Sequence, residues 1–182
     1  MPRSAAPLTL DSLYAALPAA NPAPSREVVG GSALPEPFAS LLVHDQHMTE
    51  VMERRHGAPI RVEVLERLRT EESYARRIRL RRPSDDAIVQ GGLVRIRLSL
   101  LPQDLASAIL KEQTPLGRLL VDHHTLRRIE ILSYFRFPRQ AALEAWLGPL
   151  PAEGTYGRPG WLHVDGKPAI EVFEVIAPAS FH

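Results

Sequence analysis

The chain has 182 residues, of which 45% are hydrophobic and 24% are charged, as is usual for a globular domain. Its formal net charge of +1 offers no global attraction for nucleic acid or an anionic membrane surface. The chain has no cysteine, which excludes disulfides, thiol catalysis and cysteine-ligated zinc. No apolar run reaches the roughly 18 residues of a membrane span, and no secretory signal is visible. We therefore expect one cytoplasmic domain.

The first 36 residues are rich in Ala, Pro, Ser and Gly. Because proline removes backbone hydrogen bonds, residues 1–36 are predicted to form an arm that is poorly ordered or strapped over the domain. Within this arm, residues 8–17 predict one short helix with Asp11 as its N-cap. Residues 37–182 form the predicted domain.

Alternation of apolar and polar residues predicts six strands. They are residues 60–68, 73–82, 88–101 and 125–137, together with the two halves of a hairpin over residues 161–177. Asp165-Gly166 is typical of a tight two-residue hairpin turn. Gly91-Gly92 predicts a bulge or bend in the third strand.

Helical patterns precede the first strand and interrupt the later ones. Two helical segments are predicted over residues 37–55, one follows Pro102, one opens at Thr114 and one covers residues 139–150. The long connections that hold the last three can place helices over one face of the sheet. We therefore predict an α+β domain with a single six-stranded, mainly antiparallel sheet and helices packed on one face.

Two charged residues fall on apolar strand faces. Arg76 shares a face with Tyr74, Ile78 and Leu80, and Glu174 has branched apolar residues two positions away on each side. A buried charge is costly unless it is paired. Arg76 and Glu174 could form an internal salt bridge, or Arg76 could face a cavity and bind a carboxylate, for which a guanidinium is well shaped.

The histidines do not predict a metal site. His44 and His47 lie three residues apart without a third ligand nearby, and His123-His124 are adjacent. We interpret the first two as surface residues that flank a turn and the second two as turn residues.

Five segments occur in a fixed order: LLVHDQHMTEVMER, SYARRIRL, LSLLP, TPLGRLL, and GKP followed by FEVIAPAS. Together they resemble the chorismate lyase (chorismate pyruvate-lyase) family over roughly residues 36–182. The first segment has His47 where serine is common in that family. The resemblance implies an antiparallel sheet with a ligand enclosed beneath flap-like helical excursions.

The same resemblance implies site residues. Arg76 would bind the ring carboxylate, and Glu174 would contact the oxygen that becomes the phenol. The backbone of Leu116 would meet the ligand, and Met48 would line the pocket. Arg158, which resembles a family arginine before the last hairpin, is a further candidate for substrate binding.

The implied reaction converts chorismate to 4-hydroxybenzoate and pyruvate, as a precursor step for ubiquinone or a secondary metabolite. It is an elimination that needs no cofactor and no metal, with Glu174 as base or hydrogen-bond acceptor. The expected partners are chorismate and 4-hydroxybenzoate, without nucleic acid or a membrane span, and the expected state is a monomer.

Departures from the family pattern leave alternatives open. Arg97-Leu98 stand where Gly-Arg or Ala-Arg is common, so the arginine is turned to the opposite face. Spacing near Val172 makes Glu171 an alternative to Glu174 as the active-site acid. At the level of function, the alternatives are a sensor-like domain that binds an aromatic acid without turnover, a lyase with a different hydroxybenzoate product, and a structural protein without a ligand.

Overall fold

The computed structural model describes residues 9–20 and 22–181; residues 1–8, 21 and 182, which belong to the predicted arm and the C-terminus, lie outside this part of the chain. The helices are α1 (Leu10–Ala15), α2 (Phe38–Leu42), α3 (Met48–His56), α4 (Gln103–Leu110), α5 (Leu116–Asp122) and α6 (Ala141–Leu147). The strands are β1 (Glu27–Val29), β2 (Arg61–Arg69), β3 (Tyr74–Arg82), β4 (Ala87–Ile96), β5 (Leu126–Ile131), β6 (Tyr134–Phe137), β7 (Thr155–Val164) and β8 (Lys167–Ile176). No helix in the described residues is long and apolar enough to cross a bilayer.

The strands form one antiparallel sheet in the order β1-β6-β7-β8-β4-β3-β2, and β5 also pairs with β7. The α+β class and the antiparallel sheet are therefore confirmed. The structure has eight strands in place of the predicted six for two reasons. The predicted strand 125–137 is interrupted at residues 132–133 into β5 and β6, and the short β1 comes from the predicted arm.

The hairpin of β7 and β8 fixes the centre of the sheet. Asp165 and Gly166 both have positive φ, 50° and 75°, as the predicted tight turn requires. A register shift between Leu162 and His163 follows the turn, and beyond it Glu174 pairs with Arg158 on β7 and with Gly92 on β4. These three positions therefore lie in one row across the sheet.

The third predicted strand is shorter than its sequence indicates. It ends at Ile96, and Leu98–Leu100 forms a 3-10 turn. Gly91 and Gly92 stay in register with β3, so the predicted bulge at this position is wrong; the register shift lies between Leu80 and Arg81. Gly91 instead permits close packing, because an added Cβ would lie 2.6 Å from Leu147 Cδ2 of α6.

Helices cover both faces of the sheet, whereas the sequence predicted them on one. Helices α2, α3, α4 and α5 pack on the face that carries Ile78 and Val94. Helices α1 and α6 pack on the opposite face, against Leu93 and Phe173. Both faces of β8 are apolar, so each of them needs a cover.

The described part of the arm packs against the sheet. Leu13 of α1 is fully buried beside Phe173. The N-cap of α1 is Thr9, whose hydroxyl accepts a hydrogen bond from the Ser12 amide at 3.1 Å. Asp11, the predicted cap, instead pairs with Arg26. The division of the chain into an arm and a domain stays a prediction.

Candidate functional site

An enclosed cavity lies between the sheet and the first residues of α3 and α5. Its floor is built from alternating residues of the central strands that share one face, among them Gly92, Val94 and Val172. Met48 and Leu116 lie in its roof. The cavity volume is about 50 Å³, enough for a few water molecules. A bound aromatic ring needs more room than this, so the roof or the lining side chains have to shift to admit it.

The roof is held together by contacts between α3 and α5. Gly117 lies so close to α3 that an added Cβ would be 2.6 Å from Thr49 Oγ1. The next residue of α5, Arg118, forms an ion pair with Glu53, which lies one turn beyond Thr49 on α3. The two helices therefore meet over the cavity through one close approach and one ion pair near the surface.

Glu174 lines the cavity and is paired with Arg158, which is only 1% exposed. Arg158 Nε donates to Glu174 Oε2 at 2.8 Å, and its Nη1 donates to the carbonyl oxygens of Leu42 and His44 at 2.6 and 2.7 Å. The alternative of an internal salt bridge between Arg76 and Glu174 is therefore wrong. The cationic partner that Glu174 requires comes from the neighbouring strand.

Arg76 is fully buried on the cavity side of the sheet, with a relative exposure of 0%. None of its three guanidinium nitrogens has a hydrogen-bond partner within residues 9–20 and 22–181. Arg76 is not itself part of the cavity wall, but Val94, opposite it on β4, and Ile78, the next residue on its face, both are. The guanidinium thus belongs to the layer that adjoins the cavity.

Tyr74 and Glu112 are polar neighbours of Arg76, but neither accepts a hydrogen bond of normal geometry from its guanidinium. Burial lowers the pKa of Arg76, and the Tyr74 hydroxyl and the Glu112 carboxylate oppose this effect. Glu112 already accepts a hydrogen bond from Tyr74 and pairs with Arg67 at 2.9 Å. Burial, followed by this hydrogen bond, raises the pKa of Tyr74 to about 12. Because an unpaired buried cation is unfavourable, the site is suited to an anion.

The alternative acid, Glu171, lies on the opposite face of the sheet. It is buried and forms an ion pair with Arg95, and Arg97 is 3.9 Å away. Arg97 also lies over the Trp161 ring, 5.3 Å from its centroid. Glu171 therefore does not reach the cavity, and Arg97 is on the side away from it.

His44 and His47 are half-buried at the roof, which differs from the surface position that we predicted. His44 Nε2 donates to the Leu41 carbonyl at 2.8 Å, and its Nδ1 accepts from the Gln46 amide at 3.2 Å, a pattern that fits a neutral ring. Burial lowers the pKa of both histidines, and Arg158 lowers that of His44 further. His47 lines the cavity.

Gln90 is a buried polar residue of the cavity that the sequence analysis missed. Gln90 lines the cavity, is 3% exposed, and its Oε1 atom has no hydrogen-bond partner in the described part of the chain. It shares a strand face with Gly92 and Val94. A single polar side chain on an otherwise apolar face was the signal that could have identified it.

No protein-family model and no curated protein matches the chain. Among solved structures, PhnF from Mycobacterium smegmatis is similar with a TM-score of 0.56 and 11% identity over 76% of this chain and 66% of PhnF, just under two thirds of that protein. A gene product of Staphylococcus aureus has a TM-score of 0.51 and 11% identity over 74% of this chain and 90% of its own.

A third structure is described as the ligand-binding domain of a proposed GntR-family transcriptional regulator from Bordetella bronchiseptica. It has a TM-score of 0.49 and 12% identity over 65% of this chain and 86% of its own. At these identities the similarity to PhnF and to the Staphylococcus aureus protein shows the fold alone. The chain has the chorismate lyase-like fold, an α+β domain built on one antiparallel sheet.

Proposed function

We propose that the protein binds a small aromatic carboxylic acid between the sheet and helices α3 and α5. The observation that carries this proposal is the fully buried guanidinium of Arg76, which has no hydrogen-bond partner among the described residues. A ligand carboxylate would supply two acceptors in the planar arrangement that a guanidinium prefers. The apolar walls, with Val94 and Val172, would enclose the ring.

Binding without turnover is the simpler form of this proposal, because it requires no side chain that receives a proton from the ligand. The Glu174–Arg158 pair is held in place by two backbone carbonyls. A polar wall fixed in this way can recognise a ligand hydroxyl at little cost in conformational entropy. The domain would then act as a sensor-like module.

Chorismate pyruvate-lyase activity is the second candidate, because Glu174, Met48 and Leu116 all lie around one enclosed cavity. In this reaction a proton leaves the hydroxyl-bearing ring carbon, the ether bond to the enolpyruvyl group breaks, and the ring becomes aromatic. The released enolpyruvate takes up a proton and becomes pyruvate. Glu174 would receive the ring proton or accept a hydrogen bond from the hydroxyl, and closure of the roof would exclude water.

One pair of measurements on the purified protein tests the proposal and separates its two forms. Calorimetric titration with 4-hydroxybenzoate should show one bound ligand per chain. Incubation with chorismate, followed by chromatography, then distinguishes the forms: 4-hydroxybenzoate and pyruvate as products establish the lyase, and binding without product establishes the sensor-like module. 3-Hydroxybenzoate as product would identify a related lyase. Absence of both binding and turnover would contradict the proposal.

A further inference from the structure

Gln90 is a buried polar residue whose presence the fold does not require. Its side chain is 3% exposed, and its Oε1 atom has no hydrogen-bond partner within residues 9–20 and 22–181. Leaving a buried amide oxygen without a partner costs stability. An apolar side chain of similar size would avoid this cost, as Val94 and Ile96 do further along the same face of β4.

The strand register places Gln90 at the end of the cavity remote from Arg76. Arg76 is opposite Val94 on β4, and Glu174 is opposite Gly92. Residues two apart on a strand lie about 7 Å from each other. The rows that hold Arg76, Glu174 and Gln90 therefore follow one another along the sheet, with Glu174 in the middle.

Gly92 lines the cavity and has no side chain of its own. Ile78 of β3, which also lines the cavity, packs over Gly92, since an added Cβ would lie 3.0 Å from Ile78 Cγ1. No side chain of β4 stands between Gln90 and the middle of the cavity, and the Ile78 side chain sets the room that a ligand has there. The amide of Gln90 can both donate and accept hydrogen bonds, as a ligand hydroxyl can.

We infer that Gln90 determines ligand specificity by forming a hydrogen bond with a hydroxyl group of the ligand at the end remote from its carboxylate. This inference rests on the proposed function and makes it more specific: the cavity selects hydroxylated aromatic acids over the unsubstituted acid. Gln90 contacts the ligand and needs no part in any proton transfer.

The test compares the affinities of 4-hydroxybenzoate and benzoate for the wild type and for Gln90→Met, by calorimetry. Wild type is expected to bind 4-hydroxybenzoate about tenfold more tightly than benzoate, and the variant should bind the two within about twofold of each other. Gln103→Met, the same chemical change at an exposed position of α4, is the matched control and should keep the wild-type ratio. An unchanged ratio in Gln90→Met would overturn the inference.

A second measurement works on the wild type and does not depend on how the variant folds. The side-chain amide resonances of Gln90 should shift on titration with 4-hydroxybenzoate by much more than with benzoate. Equal shifts with both acids would overturn the inference but leave the proposed function intact. Wild type that binds neither acid would contradict the proposed function itself.

The melting temperature of ligand-free Gln90→Met separates a ligand-binding role of Gln90 from a structural one, because the two roles predict changes of opposite sign. Because the amide oxygen lacks a partner in the free protein, its removal should raise the melting temperature. A clear decrease would show that Gln90 is already bonded without a ligand and would overturn the inference.

Discussion

Replacement of Arg76 by methionine is expected to stabilise the ligand-free protein and to abolish ligand binding. Methionine fills a similar volume but removes a buried charge that has no hydrogen-bond partner among the described residues. The free energy of unfolding should therefore rise by about 1–3 kcal/mol. The affinity for 4-hydroxybenzoate should fall at least about 100-fold, because the carboxylate would be buried without a cation. Denaturant unfolding and calorimetry measure the two effects.

The opposite signs of these effects separate a binding role from a structural one. An arginine that only supported the fold would lower the stability when replaced, and ligand affinity would follow the loss of folded protein. Arg69→Met, at an exposed position of β2, is the matched control and should change neither quantity appreciably. A stability loss above about 1 kcal/mol in Arg76→Met, with binding retained, would contradict the assignment.

Arg158→Met is expected to cause a large loss of stability, about 3–5 kcal/mol, because it removes one member of a buried pair. The change leaves the Glu174 carboxylate and the carbonyls of Leu42 and His44 without their donor. Glu174→Gln should cost less, about 1–2 kcal/mol, because its amide oxygen can still accept from Arg158 Nε. Denaturant unfolding of the two single variants and of the double variant measures the coupling.

This prediction depends on the hydrogen bonds of Arg158 rather than on its charge alone. Arg158→Lys should recover only a small part of the loss, because an ammonium group cannot reproduce the planar arrangement of donors. If Arg158→Met costs less than about 1 kcal/mol, the pair is not the fixed wall of the cavity that the structure indicates.

Much of the fold and part of the site follow from local sequence patterns. Strand parity brings Arg76 and Glu174 to the same apolar face, and Asp165-Gly166 marks the turn of the last hairpin. These features depend on residues that are close in sequence, so a pattern of period two is enough to predict them. The resemblance to chorismate lyases agrees with the fold that the structure shows.

The partner of Glu174 could not be predicted from sequence with the same ease. Between Arg158 and the hairpin turn lie Pro159, Gly160 and a register shift at Leu162 and His163, all of which make the strand register difficult to extend from the turn. Its hydrogen bonds to the last residue of α2 and to the loop that follows join segments that are far apart in the chain. The approach of Gly117 to Thr49 is a contact of the same kind. Such contacts arise from tertiary packing and leave no local periodic signal.

The central claim is that Arg76 receives the carboxylate of an aromatic acid enclosed between the sheet and helices α3 and α5. A crystal structure of the protein with 4-hydroxybenzoate tests it most directly. The account predicts two carboxylate oxygens within hydrogen-bond distance of the Arg76 guanidinium, with the ring beneath the two helices and its hydroxyl pointing toward the rows of Glu174 and Gln90. A ligand bound elsewhere, with the guanidinium still lacking an anionic partner, would contradict the account.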